Sequence, residues 1–200
     1  QFRLPITRLS VPIDENEFLP TSISYSGDGI IIKGDEFSLS FDLKDGFLKE
    51  YVYRNIKIVE KSLKPFFWRA PTDNDLGNGM IQRCGLWKNA HNELIMQSLD
   101  TSSKGFTKEV KAVYFHEKSK ARIDLKYKIY GSGMMKIKQT IYPTGFDNPE
   151  LPRFGMKMTL DQSFDELEWF GRGPHESYWD RKTSAKIDRF QGKVIDQTYK

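Results

Sequence analysis

The stretch RIDLKYKIYGSGMMKIKQTI, residues 122–141, decides the fold class of this 200-residue chain. Apolar and charged side chains alternate along both halves of the stretch, and a Gly-Ser-Gly step at 131–133 separates the halves. Strict alternation is the period of a β-strand with one face in a core and one face in water, and a short glycine-containing step joins antiparallel neighbours. The side chains that share one face are Ile123, Leu125, Tyr127, Ile129, Met135, Ile137, Gln139 and Ile141. The stretch therefore predicts two paired strands with a charged outer face.

The same period recurs on both sides of this stretch. Two short β runs that begin at Ser22 flank a turn at 27–29, the run 37–43 alternates, and a turn at 44–46 leads into 47–53. Met156, Met158 and Leu160 repeat the alternation further along the chain. Charged outer faces and hairpin turns predict an all-β, antiparallel sandwich. We assign this domain to residues 21–200 and interpret residues 1–20, with three prolines and an acidic cluster, as a linker or irregular edge.

One segment, 78–99, breaks the strand period. Its apolar residues, Met80, Ile81, Cys84, Trp87 and Leu94, are spaced more like those of a short helix. We therefore predict one short helix near residues 80–92.

The composition excludes several classes of protein. With 38% hydrophobic and 14% aromatic residues, the chain has enough apolar side chains for a core and too many for a disordered segment. The net charge of +4 has no block of one sign, which favours a solvated surface over a nucleic-acid patch. No apolar run approaches a membrane span, so no membrane partner is expected. The compartment stays open between cytoplasm and periplasm.

Metal and thiol chemistry also find little support. The single cysteine, Cys84, is too few for a disulfide framework or a cysteine zinc site, and it favours a packing role. The three histidines, His91, His116 and His175, are scattered and are not expected to ligate a metal together. We expect no cofactor in this chain.

The first polar motif is FFWRAPTDNDLGNG, Phe66–Gly79. Its aromatic block predicts a buried anchor, and its glycine-flanked Asp-Asn-Asp run predicts a surface loop with unusual backbone angles. Two interpretations stay open: Asp73, Asn74 and Asp75 bind a cation or sugar hydroxyls, or the aspartates cap backbone amides in Asx turns. A glycosidase pair is disfavoured, because neighbours on one loop share an environment that does not separate their pKa values.

The second motif, Glu168–Lys186, repeats this design. Trp169 and Phe170 form the aromatic part, and the glycine-proline run at 171–174 predicts a turn. Two interpretations stay open here as well: a sugar site that uses rings and charges, or a structural turn whose arginines pair with its carboxylates. The candidate side chains are Arg172, His175, Glu176, Asp180 and Arg181.

Three segments together resemble the β-galactosidase small-chain domain, the C-terminal module of the large β-galactosidases of glycoside hydrolase family 2. They are FWRAPTDNDLGNG (67–79), LPRFGMKM (151–158) and WFGRGPHESYWDRKTSA (169–185). Their order and separation also fit, and the resemblance spans roughly residues 23–200. Two long motifs in order are a far more specific signal than one short motif.

The resemblance implies a fold and a function. The family's domain is an antiparallel supersandwich related to the galactose mutarotases. Its parent enzymes hydrolyse terminal β-D-galactosides with two glutamates on a separate TIM-barrel domain, so the resemblance implies a non-catalytic accessory domain that is inactive alone. The implied partners are that barrel and the galactoside in the shared cleft. Magnesium and sodium, where parents use them, lie on other domains.

The resemblance also assigns site residues. In the family, the loop that continues from the first motif borders the cleft and moves during the cycle, with Phe67 and Trp68 as its anchor. Gly77 is a hinge in this picture, because glycine lacks a Cβ. For the second motif the implied role is structural or interfacial. The residues that form the base of the loop are Arg69, Asp73, Asn74, Asp75 and Gly77.

Members of the family continue for several strands past a segment like 196–200. We therefore expect this chain to be an incomplete small-chain domain, with open edges that predict self-association or low stability. One alternative is a freestanding carbohydrate-binding module that uses 175–181. Another is a mutarotase-like isomerase that uses His175 and Glu176, which is disfavoured because adjacent side chains on an extended chain point apart.

Overall fold

The structure is a computed structural model that describes residues 19–144, 147–175, 177–178 and 182–197. The chain divides into two compact units, Gln1–Thr159 and Leu160–Lys200. The predicted linker at 1–20 lies outside the described residues as far as residue 18.

The first unit contains a seven-stranded sheet in the order β1-β2-β3-β4-β6-β11, with the short β5 paired to β4. The pairings from β1 to β6 are antiparallel. Its strands alternate as predicted: in β3 the side chains of Phe37, Leu39 and Phe41 are buried, and those between them face outward. The bounds are β1 Ser22–Ser26, β2 Gly29–Lys33, β3 Phe37–Asp42, β4 Leu48–Tyr53, β5 Ile56–Lys57, β6 Val59–Phe66 and β11 Gly155–Leu160.

A second, four-stranded antiparallel sheet has the order β10-β9-β8-β7. The pair predicted from residues 122–141 is its β9–β10 hairpin, in which Met135 lies opposite Ile129 and Pro143 lies opposite Ala121. The bounds are β7 Ile95–Lys104, β8 Thr107–His116, β9 Ala121–Ile129 and β10 Met135–Pro143.

The two sheets share one core. The ring of Phe41 in β3 meets the edge of Tyr127 in β9 at 5.0 Å between centroids, and Phe47 stacks on Tyr114 at 4.8 Å. Each large apolar side chain buried in this way contributes about 1.5–3 kcal/mol to the stability of the fold. The predicted all-β antiparallel sandwich is confirmed, and the finer supersandwich topology stays a prediction.

The helical segment lies between β6 and β7, and it differs from the prediction in two ways. It consists of several short pieces in place of one helix near 80–92, and it begins earlier, within the predicted loop. Its last piece ends at Asn92, where the predicted helix ends, and the chain enters β7 at Ile95. The pieces are α1 Asp73–Gly77, α2 Met80–Arg83 and two 3-10 turns, Gly85–Trp87 and Ala90–Asn92.

The second unit is built on one hairpin. In it β12 Glu166–Gly173 pairs with β13 Lys186–Lys193 in antiparallel register, and a 3-10 turn follows at Val194–Gln197. Among the helices that the described residues form, none has the length and apolar character needed to cross a bilayer.

Candidate functional site

The first motif is anchored by aromatic rings, as predicted. Phe67 is completely buried and Trp68 nearly so. The Phe67 ring lies 5.7 Å from the ring of Trp87 and 6.3 Å from that of Phe154. The polar residues that follow therefore start from a fixed point in the core.

Those polar residues form a helical turn, and the prediction of an irregular loop was wrong here. Thr72 is the N-cap of α1, and its hydroxyl accepts a hydrogen bond from the Asp75 amide at 3.4 Å. The Asp75 carboxylate in return accepts the Thr72 amide at 2.8 Å. This reciprocal capping box satisfies two backbone donors that a helix start would leave unpaired. The outcome agrees with the capping interpretation for Asp75.

Arg69 locks this arrangement with a two-pronged ion pair. Its Nη2 donates to Asp75 Oδ1 at 2.8 Å, and its Nη1 donates to Asp75 Oδ2. The Asp75 side chain is only 8% exposed. The hydrogen bonds from Arg69, helped by those from Thr72 and opposed by burial, lower the pKa of Asp75 from 3.8 to about 2. Asp75 is thus ionised at neutral pH, and its carboxylate is used by the contacts to Arg69 and Thr72 that stabilise the turn.

Asp73, Asn74 and Leu76 lie on the opposite, exposed side of the same turn. Leu76 is 57% exposed, which is unusual for an apolar side chain beside a core anchor. The two aspartates therefore have different environments: Asp75 points to Arg69, and Asp73 is in contact with solvent. They do not converge on one cation, and the described residues contain no group of three or more potential metal ligands.

Gly77 does not need to be glycine for the conformation that it has in this structure, and its role as a hinge stays a prediction. Gly77 is helical without a positive φ, and a Cβ added there would meet nothing within 4 Å. The residue that needs glycine is Gly79, whose φ of +72° lies in the left-handed region. The sequence pattern Gly-Asn-Gly contains both residues and cannot separate them.

The helical segment is held to the chain at 149–153 by several contacts. Arg69 Nε donates to the Pro152 carbonyl at 3.2 Å, and Trp87 Nε1 donates to the Pro149 carbonyl at 3.1 Å. Arg83 Nε donates to Glu150 Oε1 at 3.0 Å, and the Arg153 amide donates to the carbonyl of the buried Phe67 at 3.2 Å. These contacts fix the exposed turn without any ligand.

Sequence reasoning missed a Glu-His-Ser cluster beside this segment. His116 Nδ1 lies 2.7 Å from Ser119 Oγ, and His116 Nε2 lies 3.3 Å from Glu93 Oε2. Such a cluster can activate a nucleophile, but Ser119 is fully buried and His116 is 1% exposed. No substrate reaches the hydroxyl, so the cluster is structural: it ties the β8–β9 turn to the start of β7. The spacing of these residues in sequence gave no signal for it.

The second motif is a strand where a turn was predicted. Gly171 and Gly173 lie inside β12, and the chain leaves the hairpin only at Pro174. Glycine is required at 173 by packing, since a Cβ there would lie 2.8 Å from the ring of Phe190. The predicted reason for the glycines, a turn, was wrong, and at Gly173 the reason is the close approach of the Phe190 ring.

The aromatic residues of this hairpin are only partly an anchor. Trp169 stacks on Phe190 with 5.3 Å between ring centroids. Phe170, on the other face of the strand, is 79% exposed, which contradicts the buried anchor predicted for it. Adjacent strand residues point to opposite faces, so only one of the pair can meet Phe190.

The polar residues of the second motif that the structure describes make hydrogen bonds within the turn between β12 and β13. Arg172 Nη1 donates to the carbonyls of Lys182 at 2.8 Å and Ala185 at 3.1 Å. His175 Nε2 lies 3.2 Å from Ser184 Oγ. The other three candidates, Glu176, Asp180 and Arg181, lie outside the described residues.

The buried thiol of Cys84 also has a structural role. The side chain belongs to the core cluster, and burial is the main cause that raises the pKa of its thiol. A thiol with a raised pKa carries little thiolate, so the packing role predicted for it agrees with the structure.

The chain is thus an antiparallel sandwich with an aromatic-anchored, ion-paired helical turn at one end of β6. A family model described as "Beta galactosidase small chain" matches residues 33–200, which is most of its length. The chain therefore belongs to the β-galactosidase small-chain family.

Individual relatives agree with this assignment. A β-galactosidase of Priestia megaterium is 34% identical over 197 residues, covering 98% of this chain and 19% of that protein. β-Galactosidases of Halalkalibacterium halodurans and Clostridium acetobutylicum are each 29% identical, covering 82% and 80% of this chain and 17% and 18% of those proteins. The chain spans about a fifth of the length of the curated relatives it matches.

Proposed function

We propose that this chain is a non-catalytic accessory domain of a β-galactosidase. It packs on the catalytic TIM barrel of the parent polypeptide and contributes the exposed side of α1 to the galactoside cleft. The family membership and the names of its relatives support the kind of parent enzyme. The small share of each relative that the chain matches supports a role as one domain among several.

The cleft role rests on the two different sides of α1, one buried and ion-paired and the other exposed. Asp75 is fixed by Arg69 and Thr72, while Asp73 and Asn74 lie exposed on the same rigid turn. Carboxylate and amide oxygens accept hydrogen bonds from sugar hydroxyls, and the amide also donates them. A turn held in place before the sugar arrives loses less conformational entropy on binding. Asp73 and Asn74 therefore shape the rim of the cleft.

The same geometry argues that hydrolysis is carried out elsewhere. Retaining glycosidases need one carboxyl that stays protonated near neutral pH and another that attacks the sugar. Asp75 has a pKa of about 2 and a side chain only 8% exposed, so it fits neither role. Asp73 alone cannot supply both. The catalytic carboxylates, and any magnesium or sodium, belong to other domains in this proposal.

The hairpin of the second unit offers an apolar surface for contact with the rest of the parent. Phe170 and Ile187 are 79% and 63% exposed. Their strand positions are neighbours, since Phe170 pairs with Arg189 and Ile187 pairs with Arg172. Exposed apolar clusters of this kind mark interaction surfaces. Packing against the parent is the proposed role, and self-association of the chain alone is the consequence when that partner is missing.

The test uses the polypeptide encoded by the complete reading frame that contains this chain. Asp73→Ala and Asn74→Ala are each compared with Asp35→Ala, which removes an exposed aspartate in the turn between β2 and β3. Loss of one sugar hydrogen bond lowers kcat/KM for a β-galactoside by roughly tenfold. The Asp35→Ala control stays within about twofold.

Two results would contradict the proposal. A reading frame without a barrel-sized region would contradict the proposal that this chain is one domain of a larger β-galactosidase. Unchanged kinetics in both α1 variants would remove the cleft role and leave the family assignment intact. Saturable galactose binding by the 200-residue chain alone would favour the freestanding carbohydrate-binding module instead.

A further inference from the structure

A basic groove lies on the first sheet, and none of its lining residues belongs to α1. It has a volume of about 460 Å³ and is formed by β4, β6, β11 and the 3-10 turn at Ala90–Asn92. Four lysines from three strands line it, and Glu60 and His91 complete its charged and titratable lining. The lysines are Lys49, Lys61, Lys64 and Lys157.

The positive charge of the groove is largely uncompensated. Its one carboxylate, Glu60, already pairs with Lys57 at 3.2 Å, and Lys64 lies 4.0 Å from Asp45. Among the described residues, the other three lysines have no carboxylate within 4.0 Å. Four like charges around one concavity repel each other, and the repulsion is relieved by an anion.

Two of these lysines are held in place by aromatic rings. The Lys64 ammonium lies 5.0 Å from the centroid of Phe47, and the Lys157 ammonium lies 5.2 Å from that of Phe66. Cation–π contacts of this kind restrict otherwise mobile side chains. The two charges are thus positioned before a ligand arrives, which distinguishes them from scattered surface lysines.

His91 places a second kind of polar group, a ring nitrogen, in the groove. Its ring lines the groove against the edge of Phe66, 5.2 Å between centroids, and its buried Nδ1 has no partner in the described chain. Burial, followed by the charges of Lys157 and Lys64, lowers the pKa of His91. A buried ring nitrogen without a partner is uncommon, and a polar ligand or its bound water would supply one.

We propose that this groove binds a small polyanion, a molecule that carries two or more phosphate or carboxylate groups. The volume lies within the range of about 300–1,000 Å³ that small-ligand sites occupy. Phosphate and carboxylate oxygens match lysine ammonium groups, and the lysines on different strands, Lys64 and Lys157 among them, offer separate contacts to two anionic groups. The proposal is independent of the parent enzyme and of α1.

The test titrates the 200-residue chain with pyrophosphate and, separately, with citrate. Sodium chloride at matched ionic strength is the blank, and binding is followed by backbone amide NMR shifts and calorimetry. Saturable shifts confined to β4, β6, β11 and residues 90–92 are expected with at least one probe. The stronger probe identifies phosphate or carboxylate as the preferred group.

Matched variants separate a site from general attraction to a basic protein. Lys64→Gln combined with Lys157→Gln is expected to weaken binding by about fivefold to tenfold, since it removes two charge-assisted contacts at a partly exposed site. Lys136→Gln combined with Lys138→Gln removes the same charge from exposed positions on β10 and leaves binding unchanged. Amide NMR dispersion of both double variants verifies that they are folded.

The imidazole of His91 gives an independent readout. A bound polyanion stabilises the charged ring, so the pKa of His91 measured by NMR rises when the stronger probe is added. Three results would overturn the proposal: shifts no larger than those with chloride, equal weakening by the β10 control pair, or an unchanged His91 pKa at saturation.

Discussion

Phe67 and Phe170 introduce the two motifs of this chain in similar sequence settings, yet Phe67 is completely buried and Phe170 is 79% exposed. In the first unit the aromatic residues reach a core shared by two sheets. In the second, Phe170 occupies the face of a two-stranded hairpin that Trp169 and Phe190 do not use. Aromatic density thus identifies a surface that is suited to contact, but the surrounding architecture decides whether the contact is internal.

The polar residues follow the same division. In the first motif the ion pair between Arg69 and Asp75 is shielded, and it fixes a turn whose other side is exposed. In the second motif, Arg172 donates hydrogen bonds to the backbone carbonyls of Lys182 and Ala185 in the turn between β12 and β13. The first motif is accordingly a preformed platform, and the second is a hairpin with an uncovered apolar face.

The largest effect is expected from truncating the two phenylalanines. Phe67→Ala leaves a cavity between Trp87 and Phe154 and lowers the free energy of unfolding by about 3–5 kcal/mol. Phe170→Ala changes it by less than about 0.5 kcal/mol, because the ring is already in water. Urea unfolding of both variants measures the difference. Similar losses in the two variants would show that Phe170 is covered in solution.

The next effect comes from two arginine–carboxylate ion pairs, one shielded and one exposed. Arg69→Ala leaves the buried Asp75 carboxylate without its main partner and costs about 2–4 kcal/mol. Arg54→Ala breaks the pair with Glu36, in which the side chains are 64% and 46% exposed, and no measurable loss is expected. Equal unfolding free energies for the two variants would contradict a stabilising role of the shielded Arg69–Asp75 ion pair.

Acid titration sharpens the same contrast. Because folding lowers the pKa of Asp75 from 3.8 to about 2, its contribution is complete above pH about 4 and is lost as the pH falls toward 2. The loss amounts to about 2 kcal/mol and should be absent in Asp75→Asn. Unfolding curves at several pH values measure it. An Asp75→Asn variant with the full acid slope would assign that slope to other carboxyls.

Salt distinguishes Asp75 from the exposed Glu150. The hydrogen bonds from Arg83 lower the pKa of Glu150 to about 2 as well, but its side chain is 60% exposed. Sodium chloride at about 0.5 M should raise the pKa of Glu150 and leave that of Asp75 nearly unchanged, because screening acts mainly on exposed pairs. Carboxyl carbon NMR follows both groups, and equal salt responses would contradict the shielding of Asp75.

The smallest effect concerns two glycines of the first motif. Gly79→Ala forces a Cβ into the left-handed region and costs about 1 kcal/mol. Gly77→Ala has no such penalty and is neutral or stabilises α1 by up to about 1 kcal/mol. Thermal unfolding ranks the two variants, and the reverse order would restore the conformational argument for a hinge at Gly77.

The strands that sequence predicted best are those with a strict period of two. The β9–β10 hairpin could be predicted because alternate side chains of β9 are buried and the apolar side chains of β10 pack, partly buried, against the same core. The sequence did not predict β7, Ile95–Lys104, because most of its residues are polar. Its side chains also differ little in burial between the two faces. Periodicity predicts strands whose two faces differ, and it fails where both faces are partly exposed.

The site was less predictable because its decisive contacts are non-local. The spacing of Thr72 and Asp75 is a capping-box signal, but the Asp, Asn and Gly content favoured a loop. Nothing in the sequence indicates that Arg69 also donates to the Pro152 carbonyl, 83 residues away. The exposure of Phe170 could not be predicted either, since it depends on what the hairpin packs against.

Turnover of a chromogenic β-galactoside by the purified 200-residue chain tests the central claim most directly. We expect no hydrolysis above the uncatalysed rate, because Asp75 is held in its ion pair and the proposed function assigns the catalytic carboxylates to another domain. Hydrolysis by this chain that disappears on changing Asp73 or Asp75 would contradict the account.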